Sequence, residues 1–174
     1  MSAVEEQQRL LNAIDSMPSP AAPFTFVSKT PVRGANGDVR FRYNGPDSIY
    51  VDMFVYALQG PHPYPCAARC IDSLAEQDFQ EYVQAIPSMI RAKYWDEIVV
   101  AARDTIPPAN GAAWKSARRI RMVARRNGRT MRAERLTFYF AAYRVEVRAD
   151  LPETSPHQPH VDAFVLDLTR RMRR

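Results

Sequence analysis

The stretch ARRIRMVARRNGRTMRAERLTF, residues 117–138, predicts a long β-hairpin. Asn127 and Gly128 suit the two central positions of a type I′ turn, because both positions need a positive φ that Asn and Gly tolerate best. With the turn placed there, the numbers of facing residues sum to 255, as 127 and 128 do. Arg121 therefore faces Glu134. The apolar side chains that share one face are Ile120, Met122, Ala124, Met131 and Ala133.

Further strands are predicted on both sides of the hairpin. Alternation of apolar and polar residues, the pattern of a half-buried strand, occurs at Phe24 and Phe26, at Val39, Phe41 and Tyr43, and at Tyr143, Val145 and Val147, which alternate with Arg144, Glu146 and Arg148. Residues 49–57 are apolar at nearly every position, which predicts a strand covered on both faces. Residues 97–102 are ambiguous between helix and strand, and the β-branched run at 98–100 favours a strand.

Along the second strand of the hairpin, the apolar residues change from odd-numbered to even-numbered positions. Leu136, Phe138 and Phe140 fall on the face opposite to that of Met131 and Ala133. This indicates either a bulge near Arg135 or a sheet with apolar cover on both faces. Cover on both faces is the favoured interpretation.

Three helices are predicted from caps and periodicity. Residues 2–5 form a capping box that opens an N-terminal helix ending before Pro18, and residues 73–76 form another that opens a central helix. Pro87 either kinks the central helix or starts a new turn. A final helix begins near Pro159, with an apolar stripe of Val161, Phe164, Val165, Leu168 and Met172.

These elements predict an α+β fold with a single antiparallel sheet of about five to seven strands and helices packed against it. We expect residues 1–23 to form an N-terminal helix and a Pro-rich linker, and residues 24–174 to form a single α+β domain. The chain of 174 residues is long enough to bury a substantial core.

Composition limits the class of protein. Apolar residues make up 46% of the sequence and charged residues 25%, as in ordinary globular chains, and no apolar run approaches the roughly 20 residues of a spanning helix. The N-terminus lacks the basic and apolar regions of a signal peptide. The expected location is therefore cytoplasmic as the sequence stands, or periplasmic or exported if the start is truncated.

Positive charge is concentrated in the C-terminal part of the chain. Residues 1–114 contain 9 Lys/Arg and 13 Asp/Glu, net −4, whereas residues 115–174 contain 15 and 6, net +9. Such a split is typical of a surface for nucleic acid, acidic lipid or acidic protein, although arginine-rich usage alone also produces it.

The arginines of the hairpin are the predicted anion- or partner-binding residues. Arg119, Arg121, Arg125 and Arg132 are expected on one face, and Arg126 and Arg129 are expected beside the turn. Guanidinium groups on adjacent strands can hold phosphates or carboxylates. The alternative is a solvated sheet face that Glu134 partly neutralises. No aromatic residues are interleaved with these arginines, which disfavours nucleic acid.

A zinc site between two loops is a further alternative. The chain's histidines and cysteines lie in two loops, with His62, Cys66 and Cys70 in one and His157 and His160 in the other. Thiolate and imidazole are the usual zinc ligands, but the tight Cys-x2-Cys spacing is missing. Two buried or disulfide-bonded cysteines are the favoured interpretation. No metal or cofactor is therefore predicted.

Catalytic motifs are missing from the sequence. It contains no Gly-x-Ser-x-Gly, Gly-rich phosphate loop or His-Glu-x-x-His. Asp96 and Glu97 are adjacent and would point to opposite faces of a strand, and Asp150 has no evident partner. A non-catalytic protein is favoured over an enzyme.

Several phrases resemble a group of uncharacterised bacterial proteins. They are YRVEVRADLP at 143–152, YNGP at 43–46, VDMFVY at 51–56 and QDFQ at 77–80. The order of elements is similar to the PsbP/Mog1-like sandwich, an antiparallel sheet between helices. The resemblance implies a binding or assembly module for a protein partner and transfers no functional residue. Many members of that bacterial group look exported.

Overall fold

The structure, a computed structural model, describes residues 23–32, 38–58, 68–108, 112 and 114–171, together with residues 5, 8, 9, 11 and 12. The strands are β1 (Thr25–Pro31), β2 (Val39–Asn44), β3 (Tyr50–Ala57), β4 (Glu97–Ile106), β5 (Ser116–Arg126), β6 (Arg129–Tyr139) and β7 (Tyr143–Pro152). The long helices are α1 (Ala68–Arg91) and α2 (Gln158–Arg171), and a 3-10 turn spans Pro46–Ser48.

All seven strands belong to one antiparallel sheet with the order β1-β2-β3-β7-β6-β5-β4. The predicted α+β class with a single antiparallel sheet is therefore confirmed. Strand β3 pairs with β7, which is distant from it in the chain, and this pairing places the last strand in the middle of the sheet. Strands β1 and β4 form the two edges.

The predicted hairpin register is confirmed. Arg121 faces Glu134, and every described pair of β5 and β6 follows the same sum. Asn127 and Gly128 have φ values of 51° and 74°, as a type I′ turn requires. Because the period of a strand is two, this register determines which arginines lie on which side of the sheet.

Helix α1 covers one face of the sheet, which we call the α1 face. Its C-terminal half packs on strands β4 to β6 and on Trp95, mainly through Phe79, Tyr82, Ile86 and Met89. Its N-terminal half packs through Ile71, Leu74 and Ala75 against Tyr139. The apolar residues near the hairpin tip, such as Met122 and Ala133, therefore lie under this helix.

The largest part of the core lies on the opposite face, which we call the α2 face. Phe138, Val145 and Val55 lie in this cluster, together with Val161, Phe164 and Leu168 of α2. Burying a side chain of this size stabilises the fold by roughly 1.5–3 kcal/mol. Both faces of the sheet carry apolar cover, and β5 pairs with β6 without a bulge, which confirms the favoured interpretation.

The start of the central helix differs from the prediction. Helix α1 begins at Ala68, so the predicted capping box at 73–76 lies inside it. Ile71 is fully buried against the sheet, and this packing extends the helix towards the N-terminus. Pro87 lies within α1, which continues to Arg91.

The strand preferred for residues 97–102 is confirmed as the first part of β4. The described residues of the predicted N-terminal helix, between residues 5 and 12, are helical, and residues 18–22 of the predicted linker lie outside the described part of the chain. No described helix is long and apolar enough to cross a membrane.

Candidate functional site

The six predicted arginines lie on two sides of the sheet. Arg119, Arg121, Arg125 and Arg132 share the α2 face, because they alternate with the residues buried under α1. Arg126 and Arg129 face each other beside the turn and lie on the α1 side. The hairpin therefore contributes to two separate surfaces.

Two of the arginines on the α2 face form ion pairs within the sheet. Arg119 Nε lies 2.7 Å from Glu134 Oε1, and Arg121 Nη2 lies 2.8 Å from Asp104 Oδ2. Burial opposes the charge of Arg119, but the hydrogen bond and charge of Glu134 outweigh it and raise the pKa of Arg119. These two guanidinium groups already have anionic partners in the fold.

The other two arginines on this face border an exposed apolar pair. Val99, Val123 and Arg132 form one row across β4, β5 and β6, and Arg125 follows two residues after Val123. Val99 is 55% exposed and Val123 is 42% exposed. Arg125 and Arg132 are exposed and form no ion pair with any described residue. We call these four residues the basic patch.

A cleft of about 420 Å³ lies on the α1 face. It is lined by the C-terminal half of α1, by Tyr94 and Trp95, and by strands β2, β3, β5, β6 and β7. We call it the arginine cleft, and its principal residues are Arg40, Tyr50, Asp52, Phe54, Tyr82, Tyr94, Trp95, Arg126, Arg148 and Asp150. A neighbouring cavity of about 490 Å³ shares Tyr50, Arg126 and Asp150 with the cleft and is also lined by Arg129.

Aromatic rings support the arginines of the cleft. The guanidinium carbon of Arg126 lies 4.0 Å from the ring centre of Trp95, and its Nε donates a hydrogen bond of 3.1 Å to the carbonyl oxygen of Tyr94. Arg148 lies 4.5 Å from the ring centre of Phe54. A guanidinium held on a ring keeps its plane and loses little further freedom when it binds an anion.

Of the three acidic residues that line the cleft, Glu134 pairs with Arg119 on the α2 face, and Asp52 and Asp150 differ in their surroundings. Asp52 accepts four hydrogen bonds of 2.7–3.1 Å from Arg40 and Arg42, so its oxygens are fully engaged. Asp150 has Arg126 Nη2 at 3.7 Å, which is too long for a hydrogen bond. Burial raises the pKa of Asp150, although the charges of Arg126 and Arg148 oppose this.

A buried ion-pair network lies beside the cleft. Glu146 is fully buried and pairs with Arg135 and Arg148. Burial disfavours the ionised form of Glu146, but the charges of the two arginines outweigh it and lower the pKa. Burial raises the pKa of nearby Tyr56 to about 12, and Glu146 adds to this effect. The network holds Nε of Arg148, a residue that also lines the cleft.

Three residues of the predicted zinc alternative, His157, His160 and Cys70, lie in the described part of the chain. His157 Nε2 lies 2.9 Å from Asp47 Oδ2, and its Nδ1 lies 3.2 Å from Nδ1 of His160. Cys70 is disulfide-bonded in the first turn of α1 and is not a free thiolate. His62 and Cys66 lie outside the described residues. Within the described part of the chain, no group of three or more His, Cys, Asp or Glu side chains is placed to hold a metal.

The sequence analysis named Arg126 and Arg129, which line the cleft or its neighbouring cavity, but it did not name the lining residues from β2, β3 and β7. Arg40, Asp52 and Arg148 come from three strands that are distant in sequence and neighbours in the sheet. The sequence does contain a pattern that points to these residues. In β2 and β7, charged residues alternate with the apolar residues of the large core, so the charged side chains lie on the opposite face of the sheet.

The sequence matches no protein-family model and has no significant match among curated proteins. The resemblance to the PsbP/Mog1-like sandwich therefore stays a prediction.

Proposed function

We propose that this protein is a non-catalytic binding module that holds an acidic, partly apolar segment of a protein partner on the basic patch. The observation that supports it most is the row of Val99, Val123 and Arg132 across three strands, with both valines substantially exposed. Neighbouring exposed apolar side chains bordered by unpaired charges are typical of protein-binding surfaces.

The arginines of the patch give the partner its charge. Arg125 lies across from Glu97 in the β4–β5 register, but neither Arg125 nor Arg132 forms an ion pair with a described residue, so both guanidinium groups can bind carboxylates from outside. An arginine can bind a carboxylate through two parallel hydrogen bonds, which sets both the affinity and the orientation of a bound segment. Val99 and Val123, which lie beside the arginines, would contact apolar side chains of the same segment.

Nucleic acid or an acidic lipid surface is the alternative ligand. Two guanidinium groups on a sheet also attract phosphates, and such binding falls steeply with salt. The basic patch contains no aromatic ring on which a base could stack, and its centre is apolar. These features favour a protein segment over a phosphate backbone.

The test compares three probes at low ionic strength: a labelled peptide of alternating Glu and Leu, duplex DNA, and vesicles of anionic lipid. We expect the peptide to bind most tightly. Arg125→Glu combined with Arg132→Glu should weaken peptide binding at least tenfold, about 1.4 kcal/mol. Val123→Ser should also weaken peptide binding, because it removes an apolar contact. The loss caused by Val123→Ser should be similar at low and high salt, since salt screens only the interactions between charges.

The matched control is Arg91→Glu combined with Lys115→Glu. Both residues are exposed and lie outside the patch, and the change in net charge is the same. This control should retain most of the affinity. An equal loss in both double variants, or tighter binding of DNA or vesicles than of the peptide, would contradict the proposal.

A further inference from the structure

We infer that the arginine cleft is a binding site for a small organic anion in which a carboxylate or phosphate is attached to a planar ring. The site lies on the α1 face, opposite to the basic patch, and does not depend on the function proposed for that patch.

The cleft has the size and lining of a ligand site. Its volume of about 420 Å³ falls within the roughly 300–1,000 Å³ typical of small-molecule pockets. Tyr50, Tyr82 and Tyr94 contribute aromatic side chains to its wall, and Met89 and Met122 contribute flexible apolar ones. Tyr94 is 65% exposed, so its ring has room for a second ring to stack against it.

The arginines have donor groups that the fold does not use. Arg126 uses its Nε for the carbonyl oxygen of Tyr94, and Arg148 uses its Nε for Glu146. The Nη groups of Arg148 form no hydrogen bond with a described residue, and Arg126 has only the distant contact with Asp150. Because Trp95 and Phe54 support the two guanidinium groups, their free N–H groups are oriented before an anion arrives.

Asp150, unlike Asp52, leaves a negative charge beside the position where an anion would bind. Asp52 is neutralised by Arg40 and Arg42 and does not compete for other cations. Asp150 is poorly paired and lies beside the same Arg126 that an anion would contact. A bound oxyanion would therefore be repelled by Asp150. Removing that charge should strengthen binding, whereas removing Arg126 should weaken it.

The experiment is titration calorimetry with naphthoate, adenosine monophosphate and inorganic phosphate, using the full chain. We expect saturable binding of at least one of the two ring-bearing probes and much weaker binding of inorganic phosphate, which lacks a ring. Tight binding of naphthoate assigns a carboxylate ligand, and tight binding of adenosine monophosphate assigns a phosphate ligand. Failure of both ring-bearing probes to bind, or equal affinity for inorganic phosphate, overturns the inference.

The variants make the test specific to the cleft. Arg126→Gln should weaken binding of the ring-bearing probe at least tenfold, Tyr94→Ala should weaken it several-fold, and Asp150→Asn should strengthen it several-fold. Lys115→Gln is the matched control, because Lys115 is exposed and lines neither the cleft nor the basic patch. Equal effects of the substitutions at 115 and 126, or weaker binding by Asp150→Asn, overturn the inference.

Folding and the two proposed sites can be separated in the same experiment. Thermal unfolding of each variant identifies a loss of structure, and Arg126→Lys provides a second variant that keeps the charge but loses the planar fork. Arg126→Lys should bind the probe with an affinity between those of the parent and Arg126→Gln. Arg125 belongs to the basic patch and Arg126 to the cleft, so each proposal fails through a different variant.

Discussion

Oε2 of Glu146 lies 2.5 Å from Nη2 of Arg135, in a part of the sheet where Glu146 has no exposed surface. Arg148 binds the other oxygen of the same carboxylate. The carboxylate therefore separates two guanidinium groups that would otherwise repel each other. Breaking a buried ion pair from one side is far more damaging than replacing the whole pair with apolar groups.

Glu146→Gln should lower the free energy of unfolding by about 3–5 kcal/mol at neutral pH, because two arginines lose their shared counter-charge. Urea denaturation measures this. The pKa of Glu146 is lowered in the folded protein, so its stabilising effect is complete above the ordinary glutamate pKa of about 4.3. It is lost as the pH falls through the lowered value. The difference between parent and variant should therefore shrink in acid, and a difference independent of pH would contradict this assignment.

Tyr139→Phe tests the polar contact between α1 and the sheet. The Tyr139 hydroxyl donates a hydrogen bond of 2.8 Å to Asp78 Oδ2, and the residue is 1% exposed. Losing a hydrogen bond to a charged group should lower the free energy of unfolding by about 1.5–3 kcal/mol. Tyr94→Phe is the control, because that hydroxyl forms no hydrogen bond with a described residue, and its effect should be within about 0.5 kcal/mol. Equal effects in the two variants would argue against the contact.

Gly45→Ala tests the packing of the β2–β3 connection. A Cβ at Gly45 would lie 2.5 Å from Cε1 of Phe24, which is buried and contacts Phe164. Overpacking of this kind should destabilise the protein by about 1–3 kcal/mol in chemical denaturation. Phe24→Leu should relieve part of the effect, so the double variant should be more stable than the sum of the single changes predicts. Full additivity would contradict the close approach.

Gly128→Ala provides a contrast for Gly45→Ala. No atom lies within 4 Å of an added Cβ at Gly128, whose φ is 74°. Its effect should come from the backbone alone, about 1–2 kcal/mol, because an L-residue is unfavourable in the left-handed region, and Phe24→Leu should not relieve it.

The parts of the fold that sequence could predict are those determined by nearby residues. Asn127 and Gly128 specify a turn geometry, and the turn specifies the partner of every residue in β5 and β6. From Leu136 onwards the apolar residues of β6 lie on the other face of the strand, which indicates that both faces of the sheet are covered by apolar side chains. Each of these inferences uses only residues that are close in the chain.

The arginine cleft depends on contacts that no local pattern specifies. Asp52 lies opposite Arg148 because β3 pairs with β7, and no local sequence pattern in either strand specifies the other as its partner. Arg42 and Arg40 join them only after β2 has paired with β3. The start of α1 has a similar cause, since Ile71 is held in the helix by contact with the distant Tyr139.

The β5–β6 hairpin constrains how this chain can change in length. Arg125 and Arg126 are consecutive, yet one faces the patch and the other faces the cleft. Deleting or inserting one residue within either strand would exchange the two sets of side chains and would bury arginines where Met122 and Ala133 now lie. Homologous chains should therefore vary in length between β4 and β5 or after β7, and should keep an unchanged number of residues between Ala117 and Phe138.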